Sequence, residues 1–270
     1  MSVLLKITPL SMPNTTRLNS MFKLYMIASV LAAAACLSVS AHAQATVQFS
    51  GYIWDVRPAE TGGPGPNRWD PKSVRVDPQG RLHLRLNHRD GQWQCAEVST
   101  QKSFGFGRYE FEVLGPLDTF DPNVVLGLFD YPHPGQGSDG TNEIDIEYSR
   151  WGKPSALPAS ATIYPATAAQ AKLGPPAASY AFPVPSGLSV TTQRFTRTAH
   201  SVRIQCLRGQ GRGSSGEYAR WLFHPVNSQC LPQEPLPVHI NLWLFQGHPP
   251  ANGQELEVII EKFSFVPMTQ

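Results

Sequence analysis

The chain has 270 residues and a formal net charge of +2. The first 43 residues hold Lys6, Arg17 and Lys23 and no acid, so residues 44–270 carry a formal charge of −1. A near-neutral chain lacks the clustered Lys and Arg that phosphate binding requires, which argues against a nucleic-acid partner. A single domain can fill residues 44–270, because all-β sandwiches reach this size as one unit.

The N-terminal segment has the pattern of a targeting signal. Lys23 precedes an apolar run over residues 24–37, and Ala41-His42-Ala43 supplies the small residues of a cleavage site. This pattern predicts a secretory signal peptide over residues 1–43, cleaved after Ala43. The apolar run is shorter than the about 20 residues of a membrane span, so we expect no stable membrane insertion.

Export predicts a secreted or periplasmic protein. Met21 is an alternative start that would shorten the signal. An uncleaved anchor helix and a lipoprotein attached at Cys36 stay open as alternatives. In either case we expect residues 44–270 to form the folded domain, as a monomer.

Short apolar runs separated by Pro and Gly follow the N-terminal segment. Alternation of apolar and polar residues marks strands at 82–86, 108–113, 201–204 and 256–260. The Pro- and Gly-rich residues 58–67 are not expected to form a strand, and residues 131–141 are predicted to be a second long loop. The pattern predicts an all-β fold, an antiparallel sandwich of two sheets, with at most a helical turn at 166–172.

Three cysteines follow the predicted signal: Cys95, Cys206 and Cys230. In an exported protein this number allows one disulfide, for which we favour Cys206 with Cys230. Three buried thiols are an equally good interpretation. The spacing of Cys and His residues does not indicate a zinc site. No cofactor is expected, and a structural calcium ion is left open without a pattern that indicates it.

One segment, residues 142–148, alternates acids with isoleucines. On a strand, Glu143, Asp145 and Glu147 share one face, while the two isoleucines face the core. A helix would separate Asp145 from the glutamates, and β-branched residues disfavour it. Three interpretations are open for the acidic row: calcium ligands, a solvated face or catalysis. Calcium needs six to eight oxygens, more than three acids on one flat strand provide.

The spacing of the two glutamates suits catalysis. Their Cα atoms are about 13 Å apart at the rise of a strand, and side chains that lean inward bring the carboxyl groups closer. Retaining glycosidases use two carboxyl groups separated by about 5–5.5 Å. One carboxylate attacks the anomeric carbon, and the other protonates the leaving oxygen and then activates water.

This segment and its neighbours resemble glycoside hydrolase family 16, the lichenase and xyloglucan endotransglycosylase type. Glu143 to Glu147 is similar to the family's ExDxE signature. Three further segments are similar to family strands, in chain order: 106–112, 125–131 and 241–243. The resemblance implies a β-jelly roll with a cleft across its concave sheet. It also implies Glu143 as nucleophile, Asp145 as its helper and Glu147 as acid/base.

Details of the resemblance bear on the substrate. The family's second form, ExDxxE, has a bulge that is missing here, which favours the branch that cleaves β-1,4 or mixed-linkage glucans. Three positions depart from the family pattern: Thr141 replaces a frequent Trp, Asn142 a frequent Asp or Gly, and Glu112 the Arg of YGxYExR. We therefore expect a polysaccharide or oligosaccharide substrate whose linkage stays open, for a hydrolase or a transglycosylase.

Aromatic side chains are the expected partners of sugar rings. The candidates are Trp243, Trp151, Tyr131, Phe129 and Trp54. Asn67 and His133 could bind a sugar hydroxyl, although a turn-forming role is the simpler interpretation. A non-catalytic carbohydrate-binding module on the same sandwich is the alternative function.

Overall fold

The computed structural model describes residues 44–133, 140–166, 178–209 and 216–268. The predicted signal peptide and the helical turn predicted beyond Ala166 lie outside these ranges, as do residues 134–139 of the second loop. Residues 44–270 form one compact unit that begins at Gln44. Within the described residues, no helix is both long and apolar enough to cross a membrane.

Strands make up most of the described chain. In order they are β1 (Thr46–Phe49), β2 (Tyr52–Val56), β3 (Glu60–Gly62), β4 (Asn67–Trp69), β5 (Val74–Val76), β6 (Leu82–Arg89), β7 (Gln92–Gln94), β8 (Ala96–Phe104), β9 (Gly107–Leu114), β10 (Val124–Asp130), β11 (Glu143–Tyr148), β12 (Ala159–Tyr164), β13 (Ala178–Phe182), β14 (Val190–Arg197), β15 (Val202–Arg208), β16 (Glu217–Phe223), β17 (Leu236–Leu244) and β18 (Leu256–Pro267). The described residues also form four 3-10 turns, at Pro71–Ser73, Leu117–Thr119, Ser228–Cys230 and Phe245–Gly247.

The strands form two large antiparallel sheets. The front sheet has the order β1-β2-β8-β17-β10-β11-β12-β13. The back sheet has the order β16-β15-β14-β9-β18-β6-β5, with β7 paired to β6. The predicted all-β sandwich is confirmed, and the four strands predicted from alternation match observed strands, with β15 beginning one residue after the predicted start at Ser201. Neighbours in a sheet come from distant parts of the chain, as in the pairing of β10 with β17.

Side chains from both sheets fill the space between them. Ile144 and Ile146 of β11 are fully buried there, and Phe111 and Phe195 of the back sheet are buried with them. Burying a side chain of this size stabilises the fold by about 1.5–3 kcal/mol. This packing fixes the register of β11, because a slip of one residue would exchange its isoleucines with its acids.

Two expectations about local structure are wrong. Residues 60–62 of the first loop form the short strand β3, which pairs with β4, although their composition favours a turn. The Cys206–Cys230 disulfide is not formed, and all three described cysteines are free thiols. Cys206 is buried in the core, and desolvation raises its pKa to about 12. Cys95 is also buried and donates to Oδ1 of Asn67 at 3.3 Å.

Candidate active site

The acidic row lies on the face of the front sheet that points away from the core. β11 runs between β10 and β12 in continuous register, as expected for a strand without a bulge. Asp145 lies between Phe129 and Thr162, and Glu147 lies between Gly127 and Ser160. The three acids therefore share one face of a fixed, central strand.

The entry into β11 is held by two contacts. Asn142 has a φ of 56°, in the left-handed region that Asn adopts more readily than most residues. Its backbone N–H donates to the Pro165 carbonyl at 2.8 Å. One residue into the strand, the Ile144 N–H donates to Oδ1 of Asp130 at 2.9 Å. These bonds set where the strand starts and hence where Glu143 lies.

A buried ion pair supports the strand from behind. The Asp130 and Arg197 side chains are both fully buried, and Nη1 of Arg197 lies 3.2 Å from Oδ2 of Asp130. Arg197 belongs to the back sheet and also donates to the Phe104 carbonyl at 2.7 Å and to the Tyr109 hydroxyl at 3.2 Å. Burial raises the pKa of Asp130 to about 6, against the attraction of Arg197. The pair connects the two sheets beneath the acidic row.

The acidic row itself has strongly perturbed titration. Burial raises the pKa of Glu147 to about 8, and the neighbouring Glu143 carboxylate adds to the effect. Burial also raises the pKa of Asp145 well above its usual range, assisted by repulsion from Glu143 and Glu147 and by a hydrogen bond with Glu143. At neutral pH Glu147 is therefore largely protonated, and burial and repulsion also favour the protonated form of Asp145, so the row carries only part of its full negative charge.

The row forms part of the floor of a cavity of about 740 Å³. Its size falls in the range of about 300–1,000 Å³ that is usual for ligand sites. Four acids and one arginine line it, together with aromatic and amide side chains: Arg57, Gly63, Pro64, Glu97, Phe129, Tyr131, Gly140, Glu143, Asp145, Glu147, Trp151, Tyr164, His239, Asn241 and Trp243.

A polar chain crosses one side of this cavity. Nη1 of Arg57 donates to Oε2 of Glu97 at 2.8 Å, and Nδ1 of His239 lies 3.0 Å from the other oxygen. The hydrogen bond and charge of His239, with the charge of Arg57, hold the pKa of Glu97 below its usual range although burial opposes this. The His239 ring stacks on Phe129, with centroids 5.1 Å apart. Glu97 is thereby kept as an anion in a defined position.

Four of the five predicted aromatic residues line the cavity. Phe129 and Tyr131 lie near the His239 side, with their centroids 6.4 Å apart. Trp151 and Trp243 form an edge-to-face pair with centroids 6.2 Å apart. Trp151 reaches this position from a tight turn, in which its φ is 53°.

The expectation for Trp54 is wrong. It is fully buried in the core, its indole N–H donates to the Phe49 carbonyl, and its ring meets Phe263 edge-to-face. Asn67 also has a structural role, because its amide donates to the Leu244 carbonyl from a buried position. His133 is not part of the cavity lining.

Several cavity residues were missed by the sequence analysis: Arg57, Glu97, Tyr164, His239 and Asn241. A signal existed for Glu97 and His239, since each lies between buried residues of an alternating strand. Asn241 lies within a segment already matched to a family strand. The departure at Glu112 does not touch the site, because Glu112 belongs to the back sheet opposite Thr192.

Among the described residues, no group of three or more His, Cys, Asp or Glu side chains has the geometry to hold a metal ion. The acidic row offers three carboxyl groups in an aromatic-lined cavity, and burial raises the pKa of two of them, Asp145 and Glu147. This combination suits proton transfer and nucleophilic attack on a bound sugar.

The sequence matches no protein-family model and no curated protein. The fold does have relatives among solved structures. A lichenase from a mouse hindgut metagenome aligns with a TM-score of 0.57 at 18% identity, over 82% of this chain and 96% of that one. The β-glucanase of Bacillus licheniformis gives 0.58 at 19% identity, over 84% and 100%. A family 16 enzyme of Bacteroides ovatus, in complex with a G4G4G3G product, gives 0.60 at 14%, over 79% and 94%.

The chain thus has the β-sandwich fold of the family 16 glycoside hydrolases. This agrees with the resemblance of its strand motifs and confirms the fold that the resemblance implies. At 14–19% identity the likeness establishes the fold alone.

Proposed function

We propose that this protein is a retaining glycoside hydrolase that cleaves a β-glucan by double displacement. Glu143 is the nucleophile, and Glu147 is the acid/base. The observation that carries the proposal is the geometry of the row: Glu143, Asp145 and Glu147 lie on one face of a regular strand and line one aromatic cavity. Glu147, with a pKa of about 8, keeps its proton at neutral pH two positions along the strand from Asp145, which binds Glu143.

The two steps of the reaction follow from these protonation states. In the first step, Glu143 attacks the anomeric carbon while Glu147 donates its proton to the leaving glycosidic oxygen. In the second step, Glu147 is an anion and accepts a proton from water, which attacks the glycosyl-enzyme and releases Glu143. Asp145 donates a hydrogen bond to Glu143, which stabilises the nucleophile as an anion and as a leaving group.

The charge of the cavity supports a neutral substrate. Among the described lining residues Arg57 is the single arginine, and it is already bound by the Glu97 carboxylate, so it is not available to an anionic polymer. A sulfated or uronic acid polymer would be repelled here, whereas glucose hydroxyls can donate to carboxylates. The paired rings of Trp151 and Trp243 supply apolar faces on which sugar rings stack.

The linkage is proposed as β-1,4 or mixed β-1,3/1,4, on the basis of the regular ExDxE strand. Solved structures with the same fold include β-1,3-1,4-glucanases and also a β-1,3-glucanase from Mycobacterium marinum. A panel of soluble polysaccharides with reducing-end detection separates these options. Activity only on agarose or on a pure β-1,3 glucan would contradict the proposed linkage.

Variants of the two glutamates test the mechanism. Glu143→Gln should abolish turnover with sugar binding retained, because the change is isosteric. Glu147→Gln should still react with substrates that carry a good leaving group, should accumulate the glycosyl-enzyme, and should be rescued by azide to give the β-azide. Glu234→Gln, an exposed acid outside the cavity, is the matched control and should retain full activity.

Two outcomes would contradict the mechanism. One is an initially inverted anomer in proton NMR of the fresh product. The other is a Glu143→Gln variant with the full wild-type rate. Binding of oligosaccharides with no turnover on any polymer would favour the alternative of a carbohydrate-binding module.

We also propose that the protein is exported and acts outside the cytoplasm. The start of the compact unit at Gln44 coincides with the predicted cleavage after Ala43, which supports this. Mass spectrometry of protein from the periplasm and the medium should give an N-terminus near Gln44. Intact Met1 or Met21 on cytoplasmic protein would contradict the proposal.

A further inference from the structure

A second cavity, of about 400 Å³, lies on the outer face of the back sheet. One cross-strand row forms its floor and spans five strands. In this row Arg203 and Arg108 flank Thr196 on either side, and Leu222 and Val266 follow at the two ends. Because this face is opposite the front sheet, the cavity is separate from the acidic row.

Positive charge dominates this cavity. Arg108, Arg194 and Arg203 line it, and none of its described lining residues is an acid. Glu110 lies beside the cavity on β9 and is bound by Arg194, whose Nε and Nη2 donate to its Oε2 at 2.8 and 2.6 Å. The Arg108 Nε is 4.0 Å from the same oxygen, and the Arg108 side chain is 46% exposed.

Arg203 has no strong partner among the acids nearby. Glu217, on the adjacent strand β16, is bound by Arg220 through three hydrogen bonds at 2.5–3.0 Å, and Arg203 adds only a weaker attraction. Arg108 and Arg203 therefore present two guanidinium groups across Thr196 with little compensation. Such a pair suits planar carboxylate or tetrahedral sulfate groups, because a guanidinium donates two parallel hydrogen bonds to them.

The rest of the lining suits a sugar. The Thr196 side chain lies on the floor between the two arginines, and the Gln205 side chain lines the cavity while donating a hydrogen bond to Glu217. Three large apolar side chains stand at the walls and are about half exposed: Leu222 (52%), Val266 (47%) and Met268 (48%). Apolar walls around cationic groups match a ligand with both C–H faces and anionic substituents.

We propose that this cavity, the arginine site, binds an acidic polysaccharide through its uronate carboxylates or sulfate esters. The choice of a polysaccharide rests on the proposed function, and the apolar walls of the cavity suit the C–H faces of sugar rings. The acidic cavity of the front sheet repels such a polymer, so the two sites do not compete. Binding at the back would hold the enzyme at a charged matrix and leave the front free for a neutral glucan.

Direct binding to defined polymers tests the proposal. The probes are polygalacturonate and dextran sulfate, with neutral dextran as the comparison, measured by calorimetry at low salt. Arg108→Gln and Arg203→Gln should each weaken binding about tenfold, as expected for the loss of charge-assisted hydrogen bonds. Arg203→Lys should weaken it less, because the charge is kept and only the fork geometry is lost. Added salt should reduce the wild-type affinity.

A matched control is available on the same sheet. Arg85 is 48% exposed, close to the value of Arg108, but lies on β6 outside the cavity. Arg85→Gln removes the same charge and should bind the polymers as the wild type does. Equal losses in Arg85→Gln and Arg203→Gln would reduce the effect to net charge and overturn the proposal. Binding that is insensitive to Arg108→Gln and Arg203→Gln would overturn it as well.

Two further measurements, of activity on neutral glucan and of binding to lipid vesicles, distinguish this proposal from its alternatives. Glu143→Gln should bind acidic polymers normally, and the arginine variants should keep full activity on neutral glucan. If no glucan is cleaved but polymer binding depends on the arginines, the proposed function fails and the arginine site stands. Arginine-dependent binding to phosphatidylglycerol vesicles, without binding to either polymer, would assign the site to lipid phosphate and overturn the proposal.

Discussion

Glu147→Gln should stabilise the fold, by an amount that grows with pH. In the folded protein Glu147 has a pKa of about 8, whereas the ordinary value is 4.5. Between these pH values the unfolded chain releases this proton and the folded chain keeps it. Stability therefore falls as pH rises through this window and is constant above about pH 8. A glutamine side chain does not titrate, so the variant does not lose stability as pH rises through this window.

The size of the effect follows from the same values. One pKa unit corresponds to about 1.4 kcal/mol. The shift of the Glu147 pKa from 4.5 to about 8 therefore sets an upper limit of about 5 kcal/mol on the stability gained by the variant at pH 8. Because Glu147 lines an open cavity that water reaches, we expect about 2–4 kcal/mol. For a domain of this length that gain raises the melting temperature by about 5–15 °C. Near pH 4.5 the wild type and the variant should be almost equally stable.

Urea titrations of both proteins at pH 4.5, 6, 7 and 9 measure this difference. Thr162→Val is the control, since it changes the same face of the sheet without removing a titrating group. Its difference from the wild type should be the same at every pH. A Glu147→Gln difference that is flat with pH, or that grows toward acid pH, would refute the assignment of a raised pKa and with it the proposed proton donor.

Two further predictions concern the support of the row. Arg197→Met should destabilise the fold by about 3–5 kcal/mol in urea titrations, because it leaves the buried Asp130 carboxyl without its partner. The double variant Asp130→Asn/Arg197→Met should recover part of this loss, and equal stability of single and double variants would contradict the pairing. Gly127→Ala should lower kcat/KM at least tenfold with normal folding, since the added methyl would lie 2.5 Å from Oδ1 of Asn241 and 3.3 Å from the Phe129 ring. An unchanged kcat/KM would show that this part of the cavity floor tolerates a shift.

The sequence was sufficient for features that depend on one strand. Alternation places Glu143, Asp145 and Glu147 on the face opposite Ile144 and Ile146, and the structure has them there. The same rule could have corrected Trp54. It alternates with Asp55 on β2, and the acid faces away from the core, so the tryptophan must face inward.

Features that depend on strand order were not accessible in this way. Glu97 and His239 are 142 positions apart in sequence and meet only because β8 and β17 are neighbours in the front sheet. Asp130 and Arg197 meet across the two sheets, which no pattern within either strand indicates. The predicted disulfide between Cys206 and Cys230 is wrong for the same reason, because the number of cysteines in a sequence does not indicate how far apart they lie in the fold.

Burying three neighbouring carboxyl groups lowers the stability of the fold, and the packing around the acidic row offsets that cost. Burial and mutual repulsion oppose the ionisation of Asp145 and Glu147 and raise the pKa of both carboxyl groups, that of Glu147 to about 8. Such a row persists only if the strand cannot rotate or slip to move its acids apart. The buried isoleucines, the pairing with β10 and β12, and the Asp130 bond to Ile144 together prevent this. Keeping the proton on Glu147 lowers the stability of the fold, and this proton is the one proposed to be transferred in catalysis. The Glu147→Gln variant should therefore be more stable and less active than the wild type.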